Sequence, residues 1–139
     1  MTIPASLPRI LLIVLGAFSA LSAVAGMGLL TIGGGAGLPD SYLGPFESFV
    51  VPGLILGVVV GGTQLWSTVA LIRRSSLAPL ATAIAGFGMQ IWIAIEVAMV
   101  HDVIVLHVLY FVTGTLQLIL LLVLLGVVPG LVRSTNRAA

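Results

Sequence analysis

The stretch IWIAIEVAMVHDVIVLHVLY, Ile91 to Tyr110, decides the architecture of this chain. Two apolar runs meet at His101-Asp102, and nothing longer separates them. Each run extends outward without a charge, back from Ile95 to Ser75 and forward from Val103 to Val132. About 20 apolar residues, rising 1.5 Å each as a helix, cross the hydrocarbon core of a bilayer. Two such helices joined by so short a turn must lie side by side and antiparallel. The stretch is a helical hairpin, and it carries four ionisable side chains: Glu96, His101, Asp102 and His107.

The rest of the chain repeats the pattern. Of 139 residues, 60% are hydrophobic and 6% charged, and the mean hydropathy is +1.30. Soluble domains carry about a quarter charged residues, so this chain cannot cover its surface with polar groups. Two further uncharged stretches, Ile10 to Pro39 and Ser48 to Ile72, are also long enough to span. The expected fold is all-α: a single four-transmembrane-helix bundle over residues 1–139, with spans at about 10–32, 50–72, 77–100 and 103–128. Alternating polarity of the β-barrel type is absent.

Local signals set these boundaries. Gly33-Gly34-Gly35 ends span one, Pro52 falls in the first turn of span two, and Pro129-Gly130 closes span four. Between spans one and two, Tyr42, Phe46 and Phe49 recur at spacings that suggest a short amphipathic turn at the interface. The N-terminus has two readings. A basic lead, an apolar run and Ala23-Val24-Ala25 fit a signal peptide, whereas continuation of the run to Ile32 fits a first transmembrane helix, which is the expectation here.

All five cations are arginines. Arg9, Arg73, Arg74, Arg133 and Arg137 fall on one side of a four-span chain, while Asp40, Glu47, His101 and Asp102 fall on the other. The positive-inside rule then places both termini in the cytoplasm of a multi-pass cell-membrane protein. There is no cysteine, which excludes disulfides, thiolate metal sites and thiol redox chemistry. No basic cluster suits nucleic acid. No Walker or dinucleotide motif is present, so no cofactor is expected. The two histidines lack metal-ligand spacing, and no metal is expected.

Small and polar residues mark the inner faces. Gly16, Ala20, Ala23 and Met27 form a stripe on span one, and Gly53, Gly57, Gly61, Gln64 and Thr68 one on span two. Such stripes bring helices together in lipid, within one chain or in a homo- or hetero-oligomer. Gln64, Gln90 and Gln117 fall one per span at mid-depth. They must find partners, either as bonds between helices or as the polar floor of a cavity.

Glu96 lies about 6 Å inside one end of span three, and His107 is equally deep in span four. His107 opens a column of Tyr110, Gly114, Gln117 and Leu121, while Trp92, Glu96 and Met99 share a face of span three. On that geometry Gln90 cannot line the same narrow cavity as Glu96. A bare carboxylate within a membrane helix costs ~2.5–3.5 kcal/mol at mid-depth, so Glu96 is protonated, paired or wet. Four readings stay open: a structural Glu96–His107 pair, a site for a lipophilic ligand, a general acid or base, and a proton path. The candidate catalytic residues are Glu96 and His107. The candidate ligand-binding residues are Tyr110, Trp92, Gln64, Gln90, Gln117, Glu47, His101 and Asp102.

The segments YLGPFESFVVPGLILGVVVGG, LWSTVALIRR, LAPLATAIAGFGMQIWIAIEVAMV and LYFVTGTLQLIL lie between Pro39 and Leu122. Together they resemble small four-helix bacterial membrane proteins of uncharacterised, DoxX-like type. The resemblance implies a compact bundle in a bacterial inner membrane and carries over no reaction and no catalytic residue. The functional expectation is a binding or accessory protein that engages a lipophilic small molecule or a membrane partner from the outer leaflet. The alternative is a membrane-embedded enzyme using Glu96 on an apolar, isoprenoid-like substrate.

Overall fold

A computed structural model describes residues 3–128. It is all-helical: α1 (Ser6–Thr31), α2 (Val50–Ile72), α3 (Ala78–Val100) and α4 (Val105–Leu124), with a single 3-10 turn, Asp40–Leu43, in the first loop. All four helices are long and apolar enough to cross a membrane; the shortest, 20 residues, is about 30 Å long. Their outward faces carry Leu21, Val58, Phe87 and Val105, each more than half exposed, where a soluble protein would place charge. This is the architecture of a multi-pass membrane protein.

The helices form a square in chain order. α1 packs on α2 and α4, and α3 packs on α2 and α4; neither diagonal pair has close backbone contact. The tightest seam joins α1 to α2, where the two small-residue stripes meet. A β-carbon on Gly16 would collide with Thr68 Oγ1, and one on Gly57 would collide with Met27. Both stripes are thus used inside the bundle.

Helix ends follow local chemistry, with two departures from the sequence reading. The turn between α3 and α4 is His101 to Ile104, longer than His101-Asp102, because α4 starts only at Val105 with extended Ile104 ahead of it. His101 ends α3 in the left-handed region, at φ +56, a conformation that histidine adopts more readily than most residues. At the other end, α4 stops at Leu124 rather than near Val128. Gly126, at φ +71, lets the Gly126 and Val127 N–H groups turn back onto Val123 and Leu122 carbonyls, which caps the helix in a Schellman motif. Pro129-Gly130, read as the stop, lie outside the described residues, as do Arg133 and Arg137. α2 closes the same way, with Arg74 at φ +52 and Ser75 N–H bonded to Ala70 O at 2.9 Å.

α2 is not uniformly wound. Its residues Ile55–Val60 form a π-helix between two α-helical portions. π-turns widen a helix locally and are frequent beside functional sites. The described arginines Arg9, Arg73 and Arg74 sit at one end of the square, and Asp40, Glu47, His101 and Asp102 at the other. These are called below the arginine end and the loop end.

Candidate functional site

The centre of the bundle changes character along its axis. Toward the arginine end, Leu12, Leu71, Ala78 and Ala81 form a closed apolar cluster. Above it lies a polar layer. Gln64 and Gln117 reach across the diagonal between α2 and α4 and exchange two hydrogen bonds, of 3.1 and 2.7 Å. Gln64 Nε2 also donates to Ala85 O at 3.1 Å. Ser67 and Thr82 hydroxyls pair at 2.9 Å. These side chains are almost fully buried. Of the two readings of Gln64 and Gln117, the geometry is that of an interhelical bond that fastens the square across its middle.

Beyond this layer the diagonals part and leave a cavity of about 400 Å³. All four helices contribute to its wall, and Gly35, Ala36 and Leu38 of the first loop close it at the loop end. Most of the lining is apolar, with Leu56, Val60, Met89 and Ile93 prominent. The π-wound part of α2 supplies Leu56 and Val60, so the widened winding coincides with the cavity wall.

Four of the sequence-selected residues come together here: Trp92, Glu96, His107 and Tyr110. His107 Nε2 lies 3.6 Å from Glu96 Oε2, with His107 only 5% exposed and Glu96 32% exposed. At that length the two are in electrostatic contact but not hydrogen-bonded. The backbone N–H of Ile104 donates to His107 Nδ1 at 3.2 Å, the returning half of a capping box. Nδ1 is therefore the bare nitrogen, and the ring's hydrogen resides on Nε2, facing Glu96. Capping α4 and orienting the imidazole are one act. Tyr110 stacks on Phe18 of α1, with ring centroids 6.3 Å apart and planes at 22°, closing the α1–α4 seam below the cavity.

The remaining sequence-selected residues lie elsewhere. Gln64 and Gln117 form the layer beneath. Gln90 turns away along the α3–α4 seam, donating to Phe111 O and Thr115 Oγ1, each at 2.8 Å. Glu47 is exposed in the first loop, and His101 is spent on the end of α3, its Nδ1 3.2 Å from Met99 O. Asp102 accepts the Tyr42 hydroxyl at 2.6 Å and the Val103 N–H at 2.8 Å, which ties the first loop to the α3–α4 turn. These two bonds hold the Asp102 carboxyl below its ordinary range, and the carboxylate in turn pushes the Tyr42 phenol up.

Sequence reasoning missed Ser19 of α1. Its residue is fully enclosed, it lies on the cavity wall, and its Oγ has no hydrogen-bond partner in the protein. The Trp92 indole Nε1 is in the same condition. A signal for Ser19 existed: it lies three residues from Gly16 and four from Ala23, on the inner face of α1. No group of three or more metal-ligating side chains is present among the described residues. Comparison of the chain with family models, with curated proteins and with solved structures gives no match.

Proposed function

We propose that this is a small membrane binding protein that holds a lipophilic ligand in the cavity at its loop end. The observation that carries this reading is the cavity itself, about 400 Å³ with apolar walls and one oriented Glu96–His107 pair. Small-molecule sites have that size and that mixture of many apolar contacts with few placed polar groups. A bundle built only for stability would close on itself there, as it does around Leu12 and Leu71. The arginine distribution supports an orientation with both termini cytoplasmic and the cavity in the outer half of the membrane.

Two measurements test the proposal. Native mass spectrometry of protein released from its own membranes should show a bound small molecule on the wild type. Ser22→Phe, which puts a ring into the cavity wall, should remove it; adducts equal in both proteins would sink the reading. For orientation, a membrane-impermeant thiol reagent applied outside should label Asp40→Cys and miss Ser75→Cys in this cysteine-free chain. The reverse pattern inverts the site.

A second reading draws on the tautomer fixed at His107. An imidazole with its N–H turned toward a carboxylate is an arrangement suited to moving a proton, so Glu96 acts as a general acid or base on the bound molecule. In that case Glu96→Gln should retain a ligand whose mass differs from the one carried by the wild type. Equal masses leave binding alone.

A further inference from the structure

Resting on the proposed binding site, we infer that its ligand is a neutral, hydroxyl-bearing single-chain amphiphile that enters sideways from the lipid between α1 and α4. Two independent observations lead there, one on the head group and one on the route.

The head group follows from unpartnered polar atoms that belong to cavity-lining residues. The Trp92 indole N–H has no partner, although the residue is only 7% exposed. Ser19 Oγ is likewise without a partner in a fully enclosed residue. The His107 Nε2 hydrogen points toward Glu96 across 3.6 Å, too far for a hydrogen bond. Buried donors left unmade cost about 1–3 kcal/mol each in a protein interior, so such groups call for an acceptor. Glu96 is purely an acceptor when ionised and gains one donor when protonated. A hydroxyl meets both demands at once: its oxygen accepts from a donor on the wall, and its hydrogen goes to Glu96.

Charged head groups fail the same test. Beside an ionised Glu96 a phosphate would add negative charge with no arginine among the described residues near enough to offset it. The described arginines Arg9, Arg73 and Arg74 lie at the opposite end of the bundle. Nδ1 of His107 already accepts the Ile104 N–H, so only its Nε2 side faces the head group. An ammonium group would satisfy Glu96 but offers donors only, and would face the Trp92 N–H without an acceptor.

The route follows from which cavity residues are also exposed. Leu29 of α1 and Leu106 of α4 line the cavity, yet they are 57% and 53% exposed. Exposed Ala25 stands on the same edge of α1. We take the cavity to open sideways between these two helices, onto the face that lipid covers, rather than past Ala36 and Leu38 of the first loop, which are also exposed. The opening is bounded by the first loop on one side and by the Phe18–Tyr110 stack on the other. A long chain need not fit within 400 Å³, because its tail can leave through the gap into the bilayer.

The test uses Trp92 as reporter. Trp66 is 41% exposed and remote from the cavity, so Trp66→Phe leaves a single indole on the site. Three probes share a dibrominated stearyl chain, which quenches tryptophan on contact, and differ only in head group: the monoacylglycerol, its 3-phosphate and the long-chain amine. The monoacylglycerol should quench Trp92 saturably, at concentrations at least about 10-fold below the other two, a difference near 1.4 kcal/mol. Added Ser22→Phe should abolish the saturable part, and Ala25→Trp read by native mass spectrometry should slow loading by narrowing the gap. In Glu96→Leu the phosphate should draw level with the neutral lipid. Equal or tighter binding of the phosphate or the amine in the Trp66→Phe protein overturns the head-group inference while leaving the binding reading intact. Saturable loading unaffected by Ala25→Trp overturns the route. Quenching by all three probes that neither saturates nor responds to Ser22→Phe overturns the binding reading and this inference with it.

Discussion

The two halves of the bundle solve one problem in opposite ways. In the arginine half, the core is closed around Leu12 and Leu71, and the amides and hydroxyls of Gln64, Gln117, Ser67 and Thr82 are paired, while the glycine-lined α1–α2 seam runs through both halves. In the loop half, the centre is a cavity, α2 is π-wound, and Ser19 and Trp92 hold polar atoms with no partner. Lipid gives helices little hydrophobic reason to associate, so close packing and paired polar groups do that work. In the loop half the centre stays open and polar atoms go unpaired although the α1–α2 seam is tight, which supports the proposed ligand site.

The largest effect should come from breaking the tight half. Gly16→Ala puts a β-carbon against Thr68 Oγ1, which cannot swing aside without leaving its 2.8 Å bond to Gln64 O. Overpacking of this kind costs about 1–3 kcal/mol, visible as a lower Tm in detergent. Gly28→Ala on the same helix meets nothing within 4 Å and should be neutral or stabilise by up to about 1 kcal/mol, since alanine is the better helix former. Equal responses at the two glycines would mean that close approach at Gly16 does not hold the α1–α2 seam.

Next in size is Gln64→Leu, which strands the Gln117 amide. Interhelical hydrogen bonds in membranes reach about 1.7 kcal/mol. The double change Gln64→Leu with Gln117→Leu should be more stable than the single one, and a double-mutant cycle in denaturing detergent checks it. Glu96→Leu should cost less still. A broken buried ion pair costs about 3–5 kcal/mol, but Glu96 is 32% exposed and His107 keeps its bond to Ile104. The same cycle with His107 should therefore show coupling under about 1 kcal/mol, and a value near 3 would mean the pair is structural.

The smallest effect concerns the loop end and its pH dependence. Asp102 is held below its ordinary value and Tyr42 above its own. The Tyr42–Asp102 tie therefore contributes fully above about pH 4 and fades as pH falls through the lowered Asp102 value. It also persists past about pH 10 and fades as pH rises through the raised Tyr42 value. A spin label at Ser41→Cys should be least mobile inside that window, and Tyr42→Phe should flatten the profile.

Most of this architecture was legible because long apolar runs admit one structure in lipid. The spans fell within a few residues of α1 to α4, and the small-residue stripes could be read from spacing alone. Rotation could not. The spacing from Gly16 and Ala23 puts Ser19 on the inner face of α1, but nothing in the sequence sets how α1 turns relative to α4, so its place on the cavity wall went unseen. The end of α4 was misread because Pro129-Gly130 is the louder signal, while Gly126 acts through its positive φ. The π-winding of Ile55–Val60 has no compositional signature. Glu47, His101 and Asp102 looked alike as polar residues near one end, and only the path of the first loop, with positive φ at Gly34 to Gly37, separates their surroundings.

The polar bonds of the central layer and of the loop end also bear on how the protein is made. Gln64 bonds to Ala85 and Gln117, Ser67 to Thr82, and Tyr42 to Asp102. Each joins the first hairpin, α1–α2, to the second, α3–α4. During synthesis α1 and α2 emerge first, and Gln64 and Ser67 then face a membrane that offers them no partners. The second hairpin supplies every one of those partners. Its arrival turns a half-protein with an exposed amide and hydroxyl into a closed square, so a ribosome stalled after Ser75 should leave a product that membrane quality-control proteases recognise by those two side chains.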